Sequence, residues 1–150
     1  MAADPSASPL PGAVLFACNF NRVRSPMAEA LMKRALGDRV YVDSCGLKRD
    51  EADGVDPFVQ AVMAELSVDL AAHRPKTFDD LEDASFDLVV SLTPESQHRA
   101  VEMTRGRAAE IEYWPTFDPT LVDGSREARL AAYREVRDAL AAHIAQRFPR

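Results

Sequence analysis

The sequence predicts an α/β fold: a single domain with a four-stranded parallel sheet and helices on both faces. Three observations point there. Residues 13–17 (Ala-Val-Leu-Phe-Ala) form a continuous apolar run, the pattern of a strand buried on both sides. Short strand-like runs then alternate with stretches whose apolar residues recur at helical spacing, as strand-helix-strand units require. The 150 residues suit one compact domain, and no internal repeat or linker-like segment divides them.

Each element has its own signal. Residues 1–12, rich in Ala, Ser and Pro, read as a mobile tail ahead of a domain at 13–150. After the first strand, Pro26 suits the first turn of a helix carrying Met27, Ala30 and Leu31 at helical spacing. Val40, Tyr41 and Val42 suggest a second strand closed by a turn, Asp43-Ser44-Cys45-Gly46. From Phe58, apolar residues recur at Val59, Val62, Met63 and Leu66, a helix period. Residues 86–92 supply a third strand, and Thr93-Pro94 caps the helix that follows. Ile111 and Tyr113 belong to a fourth strand, ahead of a loop at 114–124. The last helix is the clearest, with Leu130, Tyr133, Val136, Leu140 and Ile144 on one stripe.

Composition narrows the function classes. The formal net charge is −6 and the pI about 5.0, which argues against a nucleic-acid partner. No apolar run approaches membrane-spanning length, so no membrane partner is expected. Two cysteines make neither a disulfide framework nor a zinc cluster, and neither metal nor cofactor is expected. Residues 1–12 lack the basic start and long apolar stretch of a secretory signal, so the expected location is cytoplasmic.

In such folds, sites form beyond the carboxyl ends of strands. The segment after the first strand reads Cys18-Asn19-Phe20-Asn21-Arg22-Val23-Arg24-Ser25-Pro26. A short loop there can turn the backbone N–H groups of Asn19, Phe20, Asn21, Arg22, Val23 and Arg24 inward as an anion nest. The helix start adds positive potential, and the same field stabilises a thiolate at Cys18. The planar fork of Arg24 matches two phosphate oxygens, and Ser25 can donate its hydroxyl to the sulfur. Thiolate, nest and cation together make a phosphate-transfer site. A buried structural cysteine would fit the bare spacing too; the strand before it and the Ser-Pro helix start after it favour chemistry.

This loop resembles the Cys-x5-Arg-Ser loop, followed by Pro, of the low-molecular-weight protein tyrosine phosphatase family. The resemblance runs from Val14 through nearly the whole chain. Asp43-Ser44-Cys45-Gly46 is similar to the family's Ser-Ala-Gly turn. Asp69-Leu70-Ala71-Ala72-His73-Arg74 is similar to the stretch holding its loop-supporting histidine, and Phe117-Asp118-Pro119 to its general-acid loop. The resemblance implies catalytic Cys18, Arg24 and Asp118, with Asn21, Ser25, Ser44 and His73 supporting the loop. It departs from the family at Phe20, where glycine is usual, and at Val23, where a second loop cysteine is common.

The implied activity is phosphomonoester hydrolysis through a cysteinyl-phosphate intermediate. The partners would be a phosphorylated protein or a small aryl phosphate, with inorganic phosphate as product or inhibitor. Two rivals stand beside it: an arsenate reductase using an external thiol, and a noncatalytic phosphate-binding module. Thioredoxin-coupled arsenate reductases on this fold use two further downstream cysteines, and none follows Cys45 here.

By spacing alone Asp118 leads Asp123 as the acid, since Asp123 precedes Gly-Ser and suits a turn or cap. Thr120 and Leu121 stand where tyrosine-selective relatives carry aromatics, so only modest phosphotyrosine selectivity is expected. A cation at Arg22 is expected to repel phosphoarginine, although Arg22 also reads as a solvated arginine. Lys48 and Arg49 read as an exposed turn, Cys45 as a partly buried thiol and Met27, Met32 and Met63 as core filling. His98 and His143 read as residues of solvated or packed helix faces.

Overall fold

A computed structural model describes residues 10–82 and 85–149, in which strands and helices alternate. The order is β1 (Ala13–Cys18), α1 (Arg24–Leu36), β2 (Tyr41–Gly46), α2 (Pro57–Ala64), β3 (Leu88–Ser91), α3 (Pro94–Thr104), β4 (Glu110–Tyr113) and α4 (Arg126–Arg147). The strands form one parallel sheet in the order β2-β1-β3-β4. Of the expected tail, residues 1–9 lie outside the described residues, and Leu10 packs partly buried against the core.

Alternation along β1 explains how both sheet faces are covered. Val14, Phe16 and Cys18 enter one apolar cluster with α1, α2 and α4, while Leu15 and Ala17 enter a second with Phe78, Phe86 and Ala100 of α3. The expected stripe of α4 is buried at all five positions, each side chain contributing roughly 1.5–3 kcal/mol of burial. Met27, Met32 and Met63 are fully buried fillers. Trp114 packs edge-on to Phe16 at 5.7 Å, and His143 stacks on the indole at 3.8 Å between ring centroids. His98 is exposed.

Three boundaries differ from the sequence reading. Residues 43–46 are not a turn but the carboxyl half of β2, registered against Leu15, Phe16, Ala17 and Cys18. Their polar character looked loop-like because Ser44 serves the site, as described below. Helix α1 starts at Arg24, which places Pro26 at its third position, where its missing N–H is still an orphan. Strand β3 covers only Leu88–Ser91 of the expected 86–92. The expected cap at Thr93 is present, its side chain accepting from Ser96 N at 3.1 Å.

Candidate active site

The sheet order reverses direction at β1, so the loop leaving its carboxyl end opens into the crevice where such folds bind ligands. Cys18 ends β1 and is 2% exposed. Helix α1 begins six residues later, and its N-cap residue, Val23, offers no side-chain acceptor to its first N–H groups. One of them, Ser25 N, points at Cys18 Sγ from 3.5 Å, and Ser25 Oγ lies 2.9 Å from the sulfur.

The loop's carbonyls are drawn outward. Leu47 N donates to Cys18 O and Asn19 O at 3.0 and 2.8 Å, Lys48 N to Asn19 O at 3.0 Å, and Asp56 N to Arg22 O at 3.0 Å. Among the described residues, the backbone N–H groups of residues 19–24 donate to no protein acceptor. A run of unspent donors beside a helix start forms an anion nest.

Asn21 holds this shape. Its φ of +58° is left-handed, a conformation that costs a non-glycine residue roughly 1–2 kcal/mol. Its side chain is fully used in return. Nδ2 donates to Ser25 Oγ at 2.8 Å and Ser44 Oγ at 2.9 Å, and Oδ1 accepts from Lys76 N at 3.1 Å and His73 Nε2 at 3.1 Å. His73 Nε2 also faces Asn21 O at 3.2 Å. Both partners are acceptors, so Nε2 carries the hydrogen. Burial lowers the His73 pKa below its ordinary value, against the pull of the nearby Glu29 carboxylate. Ser44 in turn donates to Glu29. A continuous relay therefore runs from Glu29 through Ser44, Asn21 and Ser25 to the Cys18 sulfur.

Gly46 clears the space beneath. A Cβ there would lie 2.7 Å from both Asn21 N and Phe20 C. Any side chain would push the loop backbone itself, so Gly46→Ala is expected to lower kcat/KM about 10²-fold, the usual cost of a misplaced site. The fold should persist, and far-UV circular dichroism beside aryl phosphate kinetics checks both halves of this expectation.

Arg24 donates from Nη1 to Thr116 O at 3.0 Å, and its Nη2 lies 3.9 Å from Asp118 Oδ2. Asp118 Oδ1 accepts from Thr120 N at 3.0 Å and Thr120 Oγ1 at 2.6 Å. Cys18, Phe20, Arg22, Arg24, Asp50, Asp56, Asp118 and Thr120 are among the residues lining one pocket of about 240 Å³. Asp123 is exposed, and the cap of α4 is Ser125 instead, which accepts from Ala128 N at 3.1 Å.

Two observations bear on the specificity expectations. Phe20 lines the pocket at 40% exposure, so one aromatic ring is present there. Arg22 is no free cation: its Nε donates to Gly54 O at 2.9 Å and its Nη1 pairs with Asp50 at 3.1 Å. Asp50 balances the charge that was expected to repel a guanidinium. Lys48 and Arg49 are exposed as expected, with Arg49 paired to Asp80 at 2.8 Å.

Cys45 is fully rather than partly buried, and both cysteines are free thiols. Register keeps them apart: Cys18 pairs with Gly46 and Cys45 with Ala17, so the two side chains leave opposite faces of the sheet. Burial, then the neighbouring Cys18 and Asp43 charges, push the Cys45 thiol well above its ordinary pKa. Peroxide is therefore expected to carry Cys18 to sulfinic acid without disulfide protection. Mass spectrometry checks this, and a dominant, reductant-reversible Cys18–Cys45 bond would contradict it.

Several contributors escaped the sequence reading. Thr93, expected only to cap α3, also meets Asn19 Oδ1 at 2.8 Å across 74 residues of chain. Asp56 caps α2, accepts from Tyr133 OH at 3.0 Å and lines the pocket. Glu29 completes the relay. No local spacing signals these contacts, because each joins separate elements.

The family model described as low molecular weight phosphotyrosine protein phosphatase matches residues 13–147. An arsenate reductase of Halalkalibacterium halodurans is 32% identical over 131 residues, covering 87% of this chain and 91% of its own. A low molecular weight protein-tyrosine-phosphatase of Streptomyces coelicolor is 33% identical over 121 residues, covering 74% and 72%. A solved arsenate reductase in its phosphate-binding state superposes with a TM-score of 0.71 at 25% identity, covering 89% of this chain and 94% of that one. Fold, loop and sequence converge, and the chain belongs to the low-molecular-weight phosphotyrosine protein phosphatase family.

Proposed function

We propose that the chain is a phosphomonoester hydrolase working through a cysteinyl-phosphate intermediate at Cys18. The observation that carries this is the unspent run of N–H groups at residues 19–24, closed around a cysteine whose sulfur lies 2.9 Å from Ser25 Oγ. A dianionic phosphoryl group supplies the acceptors those donors lack. Cys18 attacks phosphorus in line, and its electron pair forms the S–P bond as the ester P–O bond breaks. Asp118 gives the departing oxygen its proton. The nest and the Arg24 fork stabilise the equatorial oxygens in the transition state. Asp118, now ionised, takes a proton from water, whose oxygen displaces the sulfur and releases inorganic phosphate. The side chains of Asn21, Ser44 and His73 act by holding the loop, and Ser25 does so while also meeting the Cys18 sulfur. Arg24 and the amides supply positive charge that a metal supplies in other phosphatases. The substrates are aryl phosphates and phosphorylated protein side chains, and a reducing cytoplasm suits the unprotected thiol.

A second reading rests on the curated relatives named arsenate reductase. Reduction of arsenate requires thiols to deliver two electrons. Here Cys45 points away from Cys18 and no third cysteine exists in the sequence, so the electrons would have to come from an external thiol. The test is direct: phosphate release from an aryl phosphate, measured beside arsenite formation with added small thiols. Phosphate release without thiol-dependent arsenite is the expected result. The reverse outcome would establish the reductase, and binding of phosphate with neither turnover would establish a noncatalytic module.

A further inference from the structure

Two residues beyond Asp56 of the pocket lining, two arginines of α4 lie over one aromatic ring. Arg129 sits 4.5 Å and Arg126 5.4 Å from the centroid of Phe58. Tyr133 stacks on the same ring at 5.2 Å and fastens it to the site through its hydroxyl, which donates to Asp56 of the pocket lining. Asp56 also accepts from Phe58 N at 2.7 Å, through its other oxygen, so one lining residue of the pocket ties both rings to the site.

Charge around the mouth is uneven in a way the overall acidity conceals. Each lining carboxylate has a partner: Asp50 pairs with Arg22, Asp56 with the Tyr133 hydroxyl, and Asp118 with Thr120 and Arg24. Arg126 and Arg129, by contrast, have no carboxylate within ion-pair distance among the described residues. Glu127, between them in sequence, acts on Arg134 one stretch further along the helix. Two guanidiniums held over a ring, with no carboxylate partner of their own, form a preorganised set of donors for carboxylates.

We propose that the Arg126–Arg129 ledge over Phe58 docks an acidic segment flanking the phosphorylated side chain of a protein substrate. This rests on the hydrolase reading above and names its substrate class. An extended peptide advances about 3.3 Å per residue, so side chains a few positions from the phosphorylated one pass Asp56, which joins the pocket to the Phe58 ring. A small aryl phosphate fills only the pocket and never meets the ledge. The attraction between exposed charges is modest and is screened by salt.

The experiment compares four substrates: an aryl phosphate, and one phosphotyrosine peptide flanked by glutamates, by glutamines or by lysines. The wild type is expected to favour the glutamate peptide by about 3- to 10-fold in kcat/KM at low salt, falling below about twofold near 0.5 M salt. Arg126→Gln/Arg129→Gln should erase the preference while aryl phosphate turnover stays within about twofold, which also reports an intact fold. Arg126→Lys/Arg129→Lys should retain most of it, and Arg126→Glu/Arg129→Glu should turn it toward lysine-flanked peptides. Equal turnover of the glutamate and glutamine peptides by the wild type, beside normal aryl phosphate turnover, would overturn the ledge and leave the hydrolase standing. A preference that survives the glutamine variant would overturn the assignment to these arginines. No aryl phosphate turnover at all would overturn the hydrolase reading, and the ledge with it.

Discussion

Cys18→Ser is expected to reduce aryl phosphate turnover by about 10⁴-fold or more while leaving phosphate binding in place. A hydroxyl is far less acidic than a thiol, and removing a nucleophile takes away the covalent route rather than weakening it. Binding survives because the groups that hold the anion are elsewhere. The N–H groups of residues 19–24 belong to the backbone, Arg24 is anchored on Thr116 O, and Asn21 keeps its own four bonds. Initial rates and a phosphate titration of the same variant check the two halves together. Turnover near the wild-type level would remove Cys18 as nucleophile. Loss of phosphate affinity with an intact fold would show that the sulfur itself shapes the nest.

Asp118→Asn is expected to slow turnover by about 10²–10⁴-fold, the range for losing a general acid. The substituted amide keeps the size of the side chain and can still accept from Thr120 through its oxygen, so the loss isolates the proton. The effect should shrink with activated leaving groups, which depart without protonation. Asp123→Asn serves as the control, since that carboxylate is exposed and does not line the pocket. A panel of aryl phosphates with graded leaving groups, run on both variants, separates the roles. Equal losses at both positions, or a loss at Asp118 independent of the leaving group, would contradict the assignment.

How much was legible depended on the range of the interaction. Strand β1, the α4 stripe and the Thr93 cap depend on neighbours within a few residues, and each stands where its local pattern put it. The Cys18-to-Ser25 loop was legible for the same reason, since the cysteine, the run of N–H groups and the helix start are contiguous. The carboxyl half of β2 was misread as a turn because Asp43 and Ser44 have turn chemistry. Pairing with β1 overrode that propensity, and the parallel register then aimed Ser44 at Asn21.

The charges at the mouth were the least legible. Arg22 looked like a free cation until the chain brought Asp50 and the Gly54 carbonyl to it from about thirty residues away. Phe20 looked like a departure from the family loop, and only the fold places it in the pocket lining.

The α/β class, the buried strand that ends at a cysteine and the candidate anion-binding loop after it are thus written in the order of residues alone. Those properties reside in periodicity and in nine consecutive positions. Folding had to settle which groups that loop leans on, why Gly46 must have no side chain and which faces the two cysteines take. It also settled which arginines have a carboxylate partner. Each of these is a contact between elements far apart in the chain, and its existence depends on sheet order and register, which no local stretch of residues encodes.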